Sequence, residues 1–271
     1  MVRDLLTASV SALLLAAATP ALAADGTVPQ TAWSEIRGAL YGEREMIAAS
    51  PAVTLETPYR AENDLRVPMR VTVDLPSGEA IERVTLIIDE NPMPVSADFE
   101  MNTPVNDFTA EVSMRFNGPT MVHAVVETAT GDLLVSEAMV KTSGVGACAA
   151  PPTTGVEEAL ATLGDMTLDA PTILRGAGPK PREVALDISH PQHSGMQMDQ
   201  ITLHYILARY VQTVEAFADD EPLFTMTGSI SLSEDPEIRF NVPKRDVSAL
   251  RVRMTDTEGA MFQKTFSLGG S

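Results

Sequence analysis

FTAEVSMRF, residues 108–116, decides the fold class. Phe108, Ala110, Val112, Met114 and Phe116 occupy every second position, opposed by Thr109, Glu111, Ser113 and Arg115. Extended backbone points successive side chains to opposite faces, so this period predicts a strand with one face in a core and one toward water. The pattern recurs on both sides. Val67, Met69, Val71 and Val73 share a face, as do Val84, Leu86 and Ile88. Residues 121–127 and 133–140 are two further strand-like runs. Breakers separate them: Pro76-Ser77-Gly78, Asn91-Pro92, Asn117-Gly118-Pro119 and Gly131-Asp132. Short half-buried strands joined by tight turns predict a β-sandwich. A short helix over 31–45 precedes it, with Trp33, Ile36 and Leu40 at helical spacing.

The alternation stops at Lys141 and resumes with Val184, Leu186 and Ile188. Strands are then expected within 201–217 and 223–232, at Ile238, Phe240 and Val242, at Leu250, Val252 and Met254, and over 261–268. The expected class is all-β, with two immunoglobulin-like sandwiches at 24–141 and 182–271. Between them, 142–181 is rich in Gly, Ala, Pro and Thr, with a brief helical patch at 156–163. That length is unusual for a loop inside a compact domain, so it reads as a flexible connection with a function of its own.

The first residues, MVRDLLTASVSALLLAAATPALAADG, run from a weak positive start through an apolar stretch to Pro20 and Ala21-Leu22-Ala23. That order is a signal peptide cut after Ala23. It predicts export to a bacterial periplasm and leaves about 250 residues to fold. No later stretch is long and apolar enough to span a bilayer. The chain carries 37 acidic and 19 basic residues, a formal charge of -18 spread along its length. Such a field repels nucleic acid and anionic lipid and favours basic protein partners.

Cys148 is the only cysteine. In an oxidising compartment it cannot staple its own chain. Three states are open to it: a free thiol, a thiol capped by a small molecule, or half of an intermolecular disulfide. Gly144, Gly146 and Ala147 precede it, and Ala149 and Ala150 follow. Small neighbours predict a pliable arm with the sulfur held out in water, and Pro151-Pro152 would stiffen its exit. A thiolate on such an arm forms persulfides and thiosulfonates readily. No base lies nearby in sequence, unlike a catalytic cysteine. A second candidate is His190 and His193 with Met196 and Met198, an imidazole and thioether set suited to copper. It supports the alternative reading, a periplasmic binding or accessory protein with copper as a candidate metal. His123 and His204 read as strand residues. Asp89, Glu90 and Asp98 read as solvated carboxylates around a turn at Asn91-Pro92. No P-loop, dinucleotide fingerprint or zinc-type cysteine pair is present.

Several stretches carry a resemblance. AENDLRVPMRV (61–71), IIDENPMPVSADFEM (87–101) and EAMVKTSGVGAC (137–148) resemble the SoxY family of bacterial sulfur oxidation. ISHPQHSG (188–195), SEDPEIRFNVP (233–243) and MTDTEGAMFQKTFSL (254–268) resemble its partner family SoxZ. The order resembles that of fused SoxYZ carriers, some associated with quinoprotein dehydrogenases. The resemblance implies a non-catalytic carrier that holds sulfur intermediates on Cys148 and shows them to periplasmic sulfur-oxidising enzymes. It also implies a c-type cytochrome or quinoprotein dehydrogenase as partner, and packing of the two halves on each other. On the alternative reading, a quinoprotein dehydrogenase is the protein that the accessory serves. Family arms bracket the cysteine with glycines near the chain end. Here alanines and Val145 replace several of these glycines, and the cysteine is internal.

Overall fold

The structure is a computed structural model that describes residues 31–48, 51–144, 146–170, 182–242 and 247–268. The signal-peptide residues 1–23 lie outside the described residues. So do Val145 and residues 171–181 of the expected connection.

The first half contains α1 (Thr31–Tyr41), β1 (Met46–Ala48), β2 (Val53–Glu56), β3 (Val67–Asp74), β4 (Ile81–Ile88), β5 (Val95–Val105), β6 (Asp107–Met114), β7 (Thr120–Thr128) and β8 (Leu133–Val140). Next come α2 (Val156–Ala161) and β9 (Met166–Asp169). The second half adds β10 (Arg182–Ile188), β11 (Val211–Ala218), β12 (Glu221–Gly228), β13 (Glu237–Val242), β14 (Ala249–Asp256) and β15 (Met261–Ser267). The chain is all-β, as its alternation predicts. Along β6 the burial alternates without a break, with Phe108, Ala110, Val112 and Met114 inside.

The halves do more than pack together, because both sheets run through both of them. One sheet has the order β1-β8-β7-β4-β5-β12-β11-β14-β15, and the other β2-β3-β6-β13-β10-β9. At the seam β5 pairs antiparallel with β12, and β6 with β13. An open strand edge leaves N–H and C=O groups without partners, and joining edge to edge satisfies four such edges at once. One apolar core fills the space between the sheets in both halves. At its centre Phe99 and Phe108 from the first half meet Phe224 and Phe240 from the second. Their ring centroids lie 5.0–5.8 Å apart in tilted or edge-on pairs. That geometry lets positive ring edges meet negative faces.

The expected connection is partly regular: it contains α2, and β9 extends the second half's sheet by pairing with β10. Gly164 lies ahead of β9 at φ +81°, and a Cβ there would overlap the Phe262 ring, 2.1 Å from its nearest atom. The expected strand over 201–217 is also corrected. Only Val211–Ala218 is strand, and residues 199–210 form an irregular loop. Three donors, Ile201 N–H, Thr202 N–H and the Thr202 hydroxyl, converge on Asp199 Oδ1. Leu203 takes a left-handed φ of 58°. Such local bonds offer the backbone an alternative to a sheet ladder.

Candidate functional site

The arm leaves β8 at the end of the first half. Lys141 is still held like a strand residue, its N–H donating to Tyr59 O at 2.8 Å and its carbonyl accepting from Ala61 N–H at 2.8 Å. Ser143 N–H then donates to both oxygens of the buried Asp64, at 2.9 and 3.2 Å, and the Ser143 hydroxyl joins the same carboxylate. Gly144 and Gly146 take φ of +81° and +70°, a region glycine enters without the Cβ penalty. The chain turns at once: Ala149 N–H donates to Gly146 O at 3.0 Å and Ala150 N–H to Ala147 O at 3.3 Å.

Cys148 sits on that turn and is 0% exposed, as is Ala147. This corrects the expectation of a sulfur held out in water. The cause is a clamp from the second half. Ser194 Oγ donates to Cys148 O at 2.6 Å, and Gln197 Nε2 donates to Ala150 O at 2.9 Å. Glu234 grips the exit, accepting from Thr153 N–H at 3.0 Å, Thr153 Oγ1 at 2.8 Å and Thr154 N–H at 3.0 Å. These bonds lower the pKa of Glu234 although its burial opposes them. The arm is closed down at its root by the first half and along its length by the second.

Burial pushes the Cys148 thiol up to about 11, because a thiolate loses water there, and the charge of Arg115 offsets only part of that. Arg115 is buried too. Its Nη1 donates to Gln192 O at 2.5 Å, and desolvation lowers its pKa. A cleft of about 160 Å³ lies alongside, lined by Asn63, Leu65, Arg66, Arg115, Pro151, Thr153, Gln197 and Glu234. Two guanidinium groups thus face one carboxylate next to the arm. Such a polar cleft suits an anionic group more than a neutral one.

Comparison with known proteins places each half. Residues 37–148 match the family of sulfur oxidation protein SoxY, and residues 176–267 match that of sulphur oxidation protein SoxZ. The chain belongs to the SoxY and SoxZ families, one half to each. The SoxY match ends on Cys148. Among solved structures, the chain is similar to the sulfur carrier protein SoxY from Chlorobium limicola f thiosulfatophilum. The identity is 22% over 41% of this chain and 91% of that one, with a TM-score of 0.36. It is also similar to a superoxide reductase (neelaredoxin) from Ignicoccus hospitalis, at 16% identity over 34% of this chain and 80% of that one, with a TM-score of 0.28. No curated protein matches the chain.

The SoxZ half supplies the residues that sequence reasoning missed: Ser194, Gln197 and Glu234. All three lie in or next to stretches that resemble SoxZ, but only long-range contact shows that they hold the arm. The histidines expected as copper ligands serve the same loop. His190 is buried, its Nδ1 accepts from Gln192 N–H at 3.1 Å, and its Nε2 lies 3.7 Å from Asp256 Oδ2. Burial pushes His190 down to about 4, so it is neutral at pH 7. His193 is also buried and lowered by burial. Its backbone forms a bridge with Arg209. Met196 and Met198 lie partly buried on the same loop. Among the described residues, no three His, Cys, Asp or Glu side chains are grouped to hold a metal ion.

In the SoxY half, His123 is a buried β7 residue. It stacks on Trp33 at 3.7 Å, and its Nε2 lies 3.2 Å from Asp89 Oδ2. Asp89 is therefore buried, which corrects its reading as a solvated turn residue. Asp98 belongs to β5, paired with Arg83 and accepting from Thr85 Oγ1 at 2.8 Å. His204 lies exposed in the 199–210 loop rather than in a strand.

Proposed function

We propose that this protein is an exported, non-catalytic sulfur carrier that holds its cargo covalently on Cys148. Both families it belongs to are sulfur-oxidation proteins. The observation that carries the reading is that its single cysteine closes the SoxY match and lies on a turn gripped by SoxZ side chains. On this reading the turn gripped by both halves is the docked state of an arm that opens to present its cargo.

The docked state protects. With its pKa at about 11, only about one thiol in ten thousand is ionised at pH 7. Among the described residues, none is hydrogen bonded to the sulfur as a base. Release into water restores ordinary thiol acidity and a usable nucleophile. Toward a polysulfide, the thiolate attacks a terminal sulfane sulfur, forms one S–S bond, and the shortened polysulfide leaves with the electron pair of the broken bond. Toward thiosulfate, joining the thiol to the outer sulfur also forms one S–S bond. That step releases one proton and two electrons, which a c-type cytochrome or quinoprotein partner takes up. The cleft at Arg66 and Arg115 suits the sulfonate end of such an adduct. Residues 1–23 direct the chain to the periplasm, where the enzymes of sulfur oxidation act on the cargo in turn.

Intact-mass measurement tests the reading. After incubation with polysulfide, the wild-type protein gains whole sulfur masses, and Cys148→Ser gains none. An unmodified wild type, or an adduct retained by Cys148→Ser, refutes it.

A further inference from the structure

The loop that clamps the arm also presents apolar side chains to water. Ile201 is 91% exposed, Leu203 66%, Tyr205 68% and Leu207 84%. Scattered exposed apolar residues are ordinary, but four within seven positions of one loop concentrate apolar surface in one place. The loop is built rather than loose. Asp199 Oδ1 collects three donors, Met198 and Tyr205 form an antiparallel bridge, and Leu203 N–H donates to Asp199 O at 2.9 Å. Its tip is one bond from the clamp: Ile206 N–H donates to Gln197 O at 2.9 Å, and the Gln197 side chain holds Ala150.

We propose that this tip is the docking surface for the enzymes that load and unload Cys148. The inference rests on the carrier reading above. The occupant is a folded protein with an apolar recess, a neutral or basic rim, and an active-site mouth beside it. Area and charge choose it over a second copy of this chain. The four side chains offer on the order of 500 Å², the size of a functional patch on a monomer. A stable complex buries roughly 800 Å² per partner. A patch of this size suits brief visits, which a carrier passing between enzymes requires. Two copies, each with a formal charge of -18, also repel one another, whereas a basic rim is attracted. A partner seated on the tip lies next to Ser194 and Gln197, so docking brings the enzyme to the closed arm.

The test compares the full-length wild type with an Ile201→Ser/Leu207→Ser double variant. Each is incubated with thiosulfate and a periplasmic extract of a thiosulfate-grown sulfur-oxidising bacterium. The rate at which the Cys148 adduct appears is followed by intact mass. Iodoacetamide labelling of Cys148 without extract, and the melting temperature, check that the arm and the fold are untouched. The expected result is at least fivefold slower loading of the variant, with labelling and melting unchanged. Equal loading of the two proteins overturns the docking surface and leaves the carrier reading standing. Sedimentation that shows a wild-type dimer dissociated by the substitutions also overturns it, because the occupant is then a second copy. If polysulfide alone leaves the wild type unmodified, the carrier reading fails and the docking surface falls with it; if polysulfide modifies the wild type but extract with thiosulfate loads neither protein, the docking surface is overturned and the carrier reading stands.

Discussion

Removing the two side chains that hold the cysteine turn should expose the thiol by a calculable amount. Ser194 Oγ and Gln197 Nε2 each make one bond to an arm carbonyl. A hydrogen bond of this kind contributes about 1 kcal/mol net, so Ser194→Ala/Gln197→Ala weakens the closed arm by about 2 kcal/mol. At 1.4 kcal/mol per tenfold, the open population rises about 30-fold. Iodoacetamide reacts only with thiolate in the open arm, so its rate at pH 8 should rise by about the same factor. Raising the pH should act in the same direction. Closing the arm raises the thiol from 9.0 to about 11, so closure is most favourable while the thiol is protonated. It weakens as pH rises through 9 and has lost about 2 kcal/mol by pH 11. Labelling of the wild type should therefore keep climbing up to about pH 11, well past an ordinary cysteine. Mass spectrometry of quenched time points gives both rates. Equal labelling of wild type and double variant would refute the clamp. A wild-type rate matching that of the urea-unfolded chain would refute the closed arm altogether.

Three more outcomes follow from the same contacts. Phe224→Ala empties the centre of the seam and should cost about 3–5 kcal/mol in urea unfolding; a loss below about 1 kcal/mol would mean the four rings do not bind the halves together. His190 is lowered from 6.5 to about 4 by burial, so the unfolded chain takes its proton first as pH falls. Stability should drop from about pH 6.5 down to about pH 4, and His190→Gln should flatten that part of a melting-temperature profile. Gly164→Ala meets both the Phe262 ring and a positive φ, so a loss of about 2 kcal/mol or more is expected by chemical denaturation.

Strands with one wet face were legible because burial and period coincide in them. β3 and β6 show it, with Val67, Met69, Val71 and Val73 inside one and Phe108, Ala110, Val112 and Met114 inside the other. The central strand β5 was missed although Ala97, Phe99 and Met101 alternate with Ser96, Asp98 and Glu100. Pro92 and Pro94 precede it, and its acids suggested a turn. In fact Arg83 on the neighbouring strand pairs with Asp98 and Glu100. The converse error lies at Ile201, Leu203, Tyr205 and Leu207. Their alternation is genuine, but among the described residues no facing sheet receives them, and sequence period alone cannot show whether a partner surface exists. Cys148 was found from its neighbours. Its burial was not, because Ser194 reaches Cys148 from 46 positions along the chain and Gln197 reaches Ala150 from 47.

The seam makes the two halves a single cooperative body. Severed between β9 and β10, each fragment would keep part of a core shaped for the other. The first would leave β5 and β6 without their outer neighbours, and the second would leave β12 and β13 likewise. Raw edges of that kind invite the next available chain, so separated pieces should aggregate unless they find each other quickly. Covalent continuity removes that search, and melting should register as one transition rather than two.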